Sequence, residues 1–180
     1  MATSNREIEM GPVEVFFKAA SDSSEVDLGY TSGGTKITVS QETQEVEVDQ
    51  ELDPIEEVIT KRTVQVEVPL AAVNVDTLKL AFPGSSIVTD KTTPTKKKLV
   101  LGATAGKSLK SFAGELRLHP VEKDADDKSE DYLFPCAAPI GNIDMTFAKN
   151  ELRVVNVTFK AFPGENKETM IYGDPAASAS

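Results

Sequence analysis

Between Thr35 and Leu70 the chain alternates apolar and polar residues. Ile37 and Val39, then Val46 and Val48, then Val64, Val66 and Val68 hold the apolar positions. Strand side chains point to opposite faces with a period of two, so this segment reads as antiparallel strands with one apolar and one wet face. Three strands are the simplest reading. If their registers agree, Lys36, Thr38 and Ser40, then Glu45, Glu47 and Asp49, then Gln65 and Glu67 all lie opposite the valines, on a face that is largely acidic. Between the second and third strands, the segment Gln50–Ile59 is too long for a tight turn. It carries Leu52, Ile55, Val58 and Ile59 beside Asp53 and Pro54. Apolar side chains on a long loop mark a binding surface.

The same period continues at Pro12–Ala19, Lys96–Leu101, Gly114–His119, Leu133–Cys136, Ile143–Phe147 and Leu152–Phe162, the last with Val155, Val157, Phe159 and Ala161 on one parity. Val26–Tyr30 reads as a short strand ended by Gly33-Gly34. One helix interrupts the pattern: Asn74 is placed to cap it, and Asp76 sits in its first turn. Val75, Leu78, Ala81 and Phe82 fall near one stripe, and Pro83-Gly84 stops it. Ser85–Thr95 reads as a loop and Asp124–Asp131 as an acidic loop. Residues 1–11 form an N-terminal arm and residues 176–180 a flexible C-terminal tail. Residues 12–175 form a single domain, long enough to bury a core without disulfides or metal. The expected fold is mainly β, an antiparallel β-sandwich or barrel-like domain with one short flanking helix and a long inter-strand loop.

Chemistry is constrained by what is scarce. A single cysteine, Cys136, and a single histidine, His119, exclude a disulfide framework and any metal site built from several soft ligands. Cys136 lies in the apolar run Phe134-Pro-Cys-Ala-Ala, where a thiol behaves as a small core residue. The sequence ties no nucleophile or orienting carboxylate to His119, which reads as a strand-end histidine. Gly102-Ala-Thr-Ala-Gly106-Lys107-Ser108 approaches a phosphate-binding loop but has three residues between its glycines where the cradle needs four, so it reads as a connection between strands. Asn156-Val-Thr158 is ordinary strand sequence. Lys96-Lys97-Lys98 is a brief basic run that either guards a strand edge or pairs with an acidic neighbouring subunit.

Nineteen basic against 29 acidic residues give a formal charge of −10, the wrong sign for gripping nucleic acid through its phosphates. No apolar run is long enough to span a bilayer, and the first residues lack the apolar stretch of a secretory signal; the expectation is a protein made in the cytoplasm. Neither catalytic residues, cofactor nor metal is expected, and the chain reads as a non-enzymatic subunit that assembles with copies of itself.

The succession of segments adds a family. Gly29-Tyr30, the alternating Thr35–Ser40, Val46-Glu-Val-Asp49-Gln50, the Pro54-Ile-Glu-Glu-Val loop, Val66-Glu-Val-Pro-Leu70 and the helix ending Ala81-Phe-Pro-Gly84 come in order. They are followed by Leu116-Arg-Leu-His-Pro120, Ala138-Pro-Ile-Gly141 and Val157-Thr-Phe-Lys-Ala-Phe-Pro163. Together, over residues 12–172, they resemble the tail tube (major tail) proteins of long-tailed bacteriophages. The charged loop at 120–131 has no counterpart in that pattern.

That resemblance implies six copies closing into a ring, and rings stacking into a hollow tube in the virion tail through which double-stranded DNA passes without adhering. It implies tape-measure, tail terminator and baseplate or tip proteins as partners. Lys36, Thr38, Ser40, Glu45, Glu47, Asp49, Gln65 and Glu67 would then face the lumen. Gln50, Leu52, Asp53, Pro54, Ile55, Val58 and Ile59 would reach a neighbouring subunit or the next ring. Two alternatives share these features: the inner tube of a contractile tail or phage-derived injection system, and a monomeric β-sandwich serving decoration or adhesion.

Overall fold

The computed structural model describes residues 11–20, 22–71, 74–102, 106–140, 149 and 152–177. The expected strand at Ile143–Phe147, residues 1–10 of the N-terminal arm and residues 178–180 of the tail lie outside them. The described strands are β1 (Val13–Ala19), β2 (Val26–Asp27), β3 (Lys36–Val46), β4 (Glu56–Leu70), β5 (Ser85–Thr89), β6 (Lys97–Leu101), β7 (Gly114–Pro120), β8 (Tyr132–Pro139), β9 (Val155–Ala161) and β10 (Ile171–Tyr172). Helix α1 (Val75–Ala81) follows β4, and a 3-10 turn (Leu109–Phe112) precedes β7.

All strand pairings are antiparallel. The main sheet runs β2-β1-β7-β8-β9-β4-β3 with β10 beside β8, while β5 and β6 form a separate two-stranded sheet. The main order ends on β2 and β3, so the sheet is open and does not close into a barrel. It does curl: Phe17 of β1 and Phe159 of β9, with β7 and β8 between them in the order, meet with ring centroids 5.4 Å apart. The curl wraps a core of Val15, Phe17, Val64, Val66, Val68, Leu116, Leu118, Phe134, Val157 and Phe159, all buried. On β9 the parity Val155, Val157, Phe159 and Ala161 is buried throughout.

Helix α1 forms where the sequence marks it. The Asn74 side chain accepts a hydrogen bond from the Thr77 N–H at 2.7 Å, which satisfies one of the free donors of the first turn. Ala81 is buried, and Leu78 and Leu80 pack against the core. The helix ends one residue earlier than its apolar stripe: Phe82 is extended and its N–H still reaches Leu78 O, after which Gly84 takes a φ of 80°.

At Gly114 the backbones of β1 and β7 approach so closely that a β-carbon there would lie 2.2 Å from Lys18 O. Only glycine fits.

The structure corrects the sequence reading of residues 35–70, since three expected strands are two. No turn residue interrupts Gln41-Glu-Thr-Gln-Glu45, and β3 runs unbroken to Val46 while β4 begins at Glu56, so Val58 and Ile59 belong to a strand. The apolar pattern fades there because this part of the ribbon has no core to cover. The loop expected at Ser85–Thr95 begins with strand β5, which alternates in burial from Ser85 to Val88, but whose residues Ser85-Ser-Ile-Val-Thr89 do not alternate between apolar and polar. Strand β8 extends to Pro139.

Candidate assembly surfaces

Strand β4 keeps β9 as a neighbour only from Val64 onward, but its pairing with β3 continues out to Val46 opposite Glu56. Residues 40–46 and 56–63 therefore form a two-stranded ribbon that leaves the body of the sheet. At the usual rise per strand residue it is about 26 Å long. Every residue of it is exposed apart from Thr63, which is half-buried.

Cross-strand contacts hold the ribbon. Lys61 Nζ lies 2.6 Å from Glu42 Oε1, the Arg62 guanidinium donates to Gln41 Oε1 at 3.2 Å, and the Thr43 hydroxyl donates to Glu57. Thr60 is an extra residue, since Glu42 faces Lys61 and Thr43 faces Ile59. Its hydroxyl donates to Glu42 O at 3.1 Å. This β-bulge adds local twist. At the end of the ribbon, residues 47–55 close the turn, with Ile55 N–H donating to Val46 O at 2.9 Å.

The register decides which side chains share a face. One face carries the pairs Lys36/Glu67, Thr38/Gln65, Ser40/Thr63, Glu42/Lys61, Gln44/Val58 and Val46/Glu56. The other carries Ile37/Val66, Val39/Val64, Gln41/Arg62, Thr43/Ile59 and Glu45/Glu57. Lys36, Thr38, Ser40, Gln65 and Glu67 are thus brought together, as the sequence reading has it. Glu45 is not with them: an unbroken β3 places it on the parity of Ile37 and Val39, and Glu47 and Asp49 lie in the turn. The single acidic face is therefore corrected to a mixed-charge polar face and an acidic ribbon end. Between Ile37 and Thr60 the chain holds eight carboxylates and no lysine or arginine. Of the expected contact residues, Gln50, Leu52, Asp53, Pro54 and Ile55 form the turn, and Val58 and Ile59 project from opposite faces of β4. Leu52 is wholly exposed, and Val46, Ile55, Val58 and Ile59 are each more than a third exposed.

The second sheet presents the opposite charge. Lys91, Lys96, Lys97 and Lys98 surround its turn, with Asp90 the single carboxylate in that stretch. Ile87 and Leu99 pair on the half-buried face, and Lys97 reaches Asp76 of α1 at 3.4 Å. The other face carries Val88 paired with Lys98 and Ser86 paired with Val100, all exposed. From β6 the chain passes Gly102 and Gly106 and enters the 3-10 turn. A β-carbon at Gly102 would lie 3.2 Å from Gly84 O, so Gly102 packs behind the helix stop, and residues 103–105 lie outside the described ones.

A buried polar chain lies elsewhere. Asp131 is fully buried and accepts from Arg117 Nη1 at 3.1 Å, while its other oxygen lies 2.6 Å from His119 Nδ1. Arg117 also donates through Nε and Nη2 to Glu25 at 3.1 and 2.7 Å, and its guanidinium stacks 4.3 Å over the Phe16 ring. Burial would lower the Arg117 pKa, but the hydrogen bonds to Glu25 and Asp131 and the attraction of both carboxylates outweigh it and hold the pKa above its ordinary value. No local pattern in the sequence ties a carboxylate to His119; the loop after β7 folds back to supply one. His119 Nε2 is enclosed and has no hydrogen-bond partner among the described residues. The cluster thus fastens the charged loop and β2 to β7. Cys136 sits half-buried on β8. Among the described residues no group of three or more His, Cys, Asp or Glu is placed to hold a metal ion.

No family model matches the sequence, and no curated protein matches it. Among solved structures, the chain aligns with a chain of the cryo-EM structure of the anti-feeding prophage baseplate, six-fold symmetrised. The TM-score is 0.43 at 10% sequence identity, over 97% of this chain and 95% of that one.

Proposed function

We propose that this chain is a structural subunit of a tail tube, self-assembling into rings of six copies that stack into a conduit for double-stranded DNA. The observation that carries the reading is the open sheet. Among the described residues strand β3 pairs only with β4, so its outer edge is bare along Lys36–Val46, and the segment Val26–Leu28 covers β1 only from Val15 to Phe17. Bare edges are templates for pairing with another chain. Copies joined from β3 to the β1–β2 side remove both edges and close a larger barrel around a rotation axis.

In that barrel the polar face of Lys36, Thr38, Ser40, Gln65 and Glu67 looks onto the lumen. Lys36 opposes Glu67 across the strands, so the wall offers DNA no net positive patch, consistent with a chain of charge −10. The acidic ribbon end reaches out of the ring. Tape-measure, terminator and tip proteins are the expected further partners.

Negative-stain microscopy of the concentrated protein, alone and with tail initiator proteins, tests the reading, with rings or tubes as the expected result. A chain that sediments as a monomer at every concentration and never yields rings overturns it in favour of a solitary decoration or adhesion module.

A further inference from the structure

Two exposed ribbons of opposite charge sit on one chain, and each mixes its charges with uncovered apolar side chains. At the end of the β3–β4 ribbon, Glu45, Glu47, Asp49, Glu51, Asp53 and Glu56 make no side-chain ion pair among the described residues, and Leu52, Ile55, Val46 and Val58 are exposed beside them. On the β5–β6 hairpin, Lys97 is committed to Asp76, but Lys91, Lys96 and Lys98 have no side-chain partner among the described residues. The one carboxylate within the hairpin itself, Asp90, is turned to its own backbone and accepts from the Thr92 and Thr93 N–H groups at 2.8 Å. Val88 and Val100, 45% and 41% exposed, flank Lys98 on the outer face. Carboxylates with aliphatic side chains on one ribbon match ammonium groups with aliphatic side chains on the other.

We infer that the acidic end of the β3–β4 ribbon docks on the Val88, Lys98 and Val100 face of the β5–β6 hairpin of a second copy of this chain. This deepens the proposed tube reading and rests on it. The two surfaces do not satisfy one another within a single chain, since Leu52, Val88 and Lys98 all remain exposed there. Every copy carries both halves, so the contact is heterologous and repeats from copy to copy, as the stacking of rings or the closing of one requires. Opposite charge also steers the encounter and rejects like-charged misalignments.

Charge reversal tests it on the full chain. The first variant carries Glu47→Lys, Asp49→Lys and Glu51→Lys, and the second Lys91→Glu, Lys96→Glu and Lys98→Glu. All six residues are exposed, and circular dichroism verifies that each variant folds. Each variant alone should need at least ten times the wild-type concentration to assemble, by light scattering. An equimolar mixture should assemble near the wild-type concentration, because each variant's reversed ribbon then meets the other's complementary one. Single variants that assemble like the wild type assign the ribbon end to another partner and overturn this contact, leaving the tube reading intact. Impaired variants that the mixture does not rescue also overturn the pairing. A wild-type chain that never assembles overturns both.

Discussion

Asp131→Ala should destabilise the fold more than any other single removal of a carboxylate. The side chains of Asp131 and His119 are 1% and 4% exposed, so water cannot replace what the substitution deletes. Two bonds go, one from Arg117 Nη1 at 3.1 Å and one with His119 Nδ1 at 2.6 Å. A hydrogen bond to a charged group contributes about 1.5–3 kcal/mol, and His119 would be left with neither ring nitrogen paired. Arg117 keeps its two bonds to Glu25, so it is not stranded, and the sum comes to about 3–5 kcal/mol. For a chain of this size that corresponds to a fall in Tm of roughly 6–20 °C. Asp131→Asn retains a carbonyl oxygen for the imidazole N–H but turns an amide toward the guanidinium, and should cost about half as much. The assay is urea unfolding followed by circular dichroism. A double-mutant cycle with Arg117→Met, whose coupling energy should exceed about 1 kcal/mol, completes it. An Asp131→Ala midpoint within about 1 kcal/mol of wild type, or strict additivity with Arg117→Met, would refute the claim that this cluster fastens the loop to β7.

Three further outcomes follow from the geometry. Gly114→Ala drives a methyl group into Lys18 O, 2.2 Å from the ideal β-carbon position, and should lower stability by about 1–3 kcal/mol in urea; a neutral effect would mean that β1 and β7 separate readily at this position. Phe159→Ala, at the meeting of the curled sheet, should cost about 3–5 kcal/mol, whereas Leu52→Ala should leave monomer stability within about 0.5 kcal/mol and weaken assembly; equal effects on stability would put Leu52 in the core. Hydrogen bonds from the Thr93 and Thr92 N–H groups hold the Asp90 carboxyl below its ordinary 3.8, so its contribution to the turn is complete above that value and lost as pH falls through the lower folded one. An inflection of the Thr92 and Thr93 amide resonances at or above 3.8 would contradict this.

Burial explains which parts of this molecule could be read from its residues. On β9 and α1 one face must meet the core, so Val157, Phe159 and Ala81 announce themselves by period, and Asn74 and Pro83-Gly84 mark the helix ends. The outer half of the β3–β4 ribbon covers nothing, so nothing in its composition had to alternate, and Gln41–Glu45 gave no sign of continuing the strand. Glu45 stands five positions from Ser40, and an odd step along one unbroken strand changes sides, so a break expected between them reverses its face. Its charge was legible, its direction was not. Asp131 was hidden for another reason: a loop returns it to His119, and no local pattern encodes where a loop lands.

The bulge at Thr60 has a consequence for the life of the chain before assembly. Beyond Val64 the outer side of β4 has lost β9, and a straight bare edge of that length would accept any extended peptide as an extra strand, the first step toward aggregates. The inserted residue divides it into Glu56–Ile59 and Lys61–Thr63, two runs too short to seed a foreign strand, each carrying charges that oppose stacking. The β4 side of the ribbon is thereby closed to foreign strands, and pairing is directed to the continuous edge of β3.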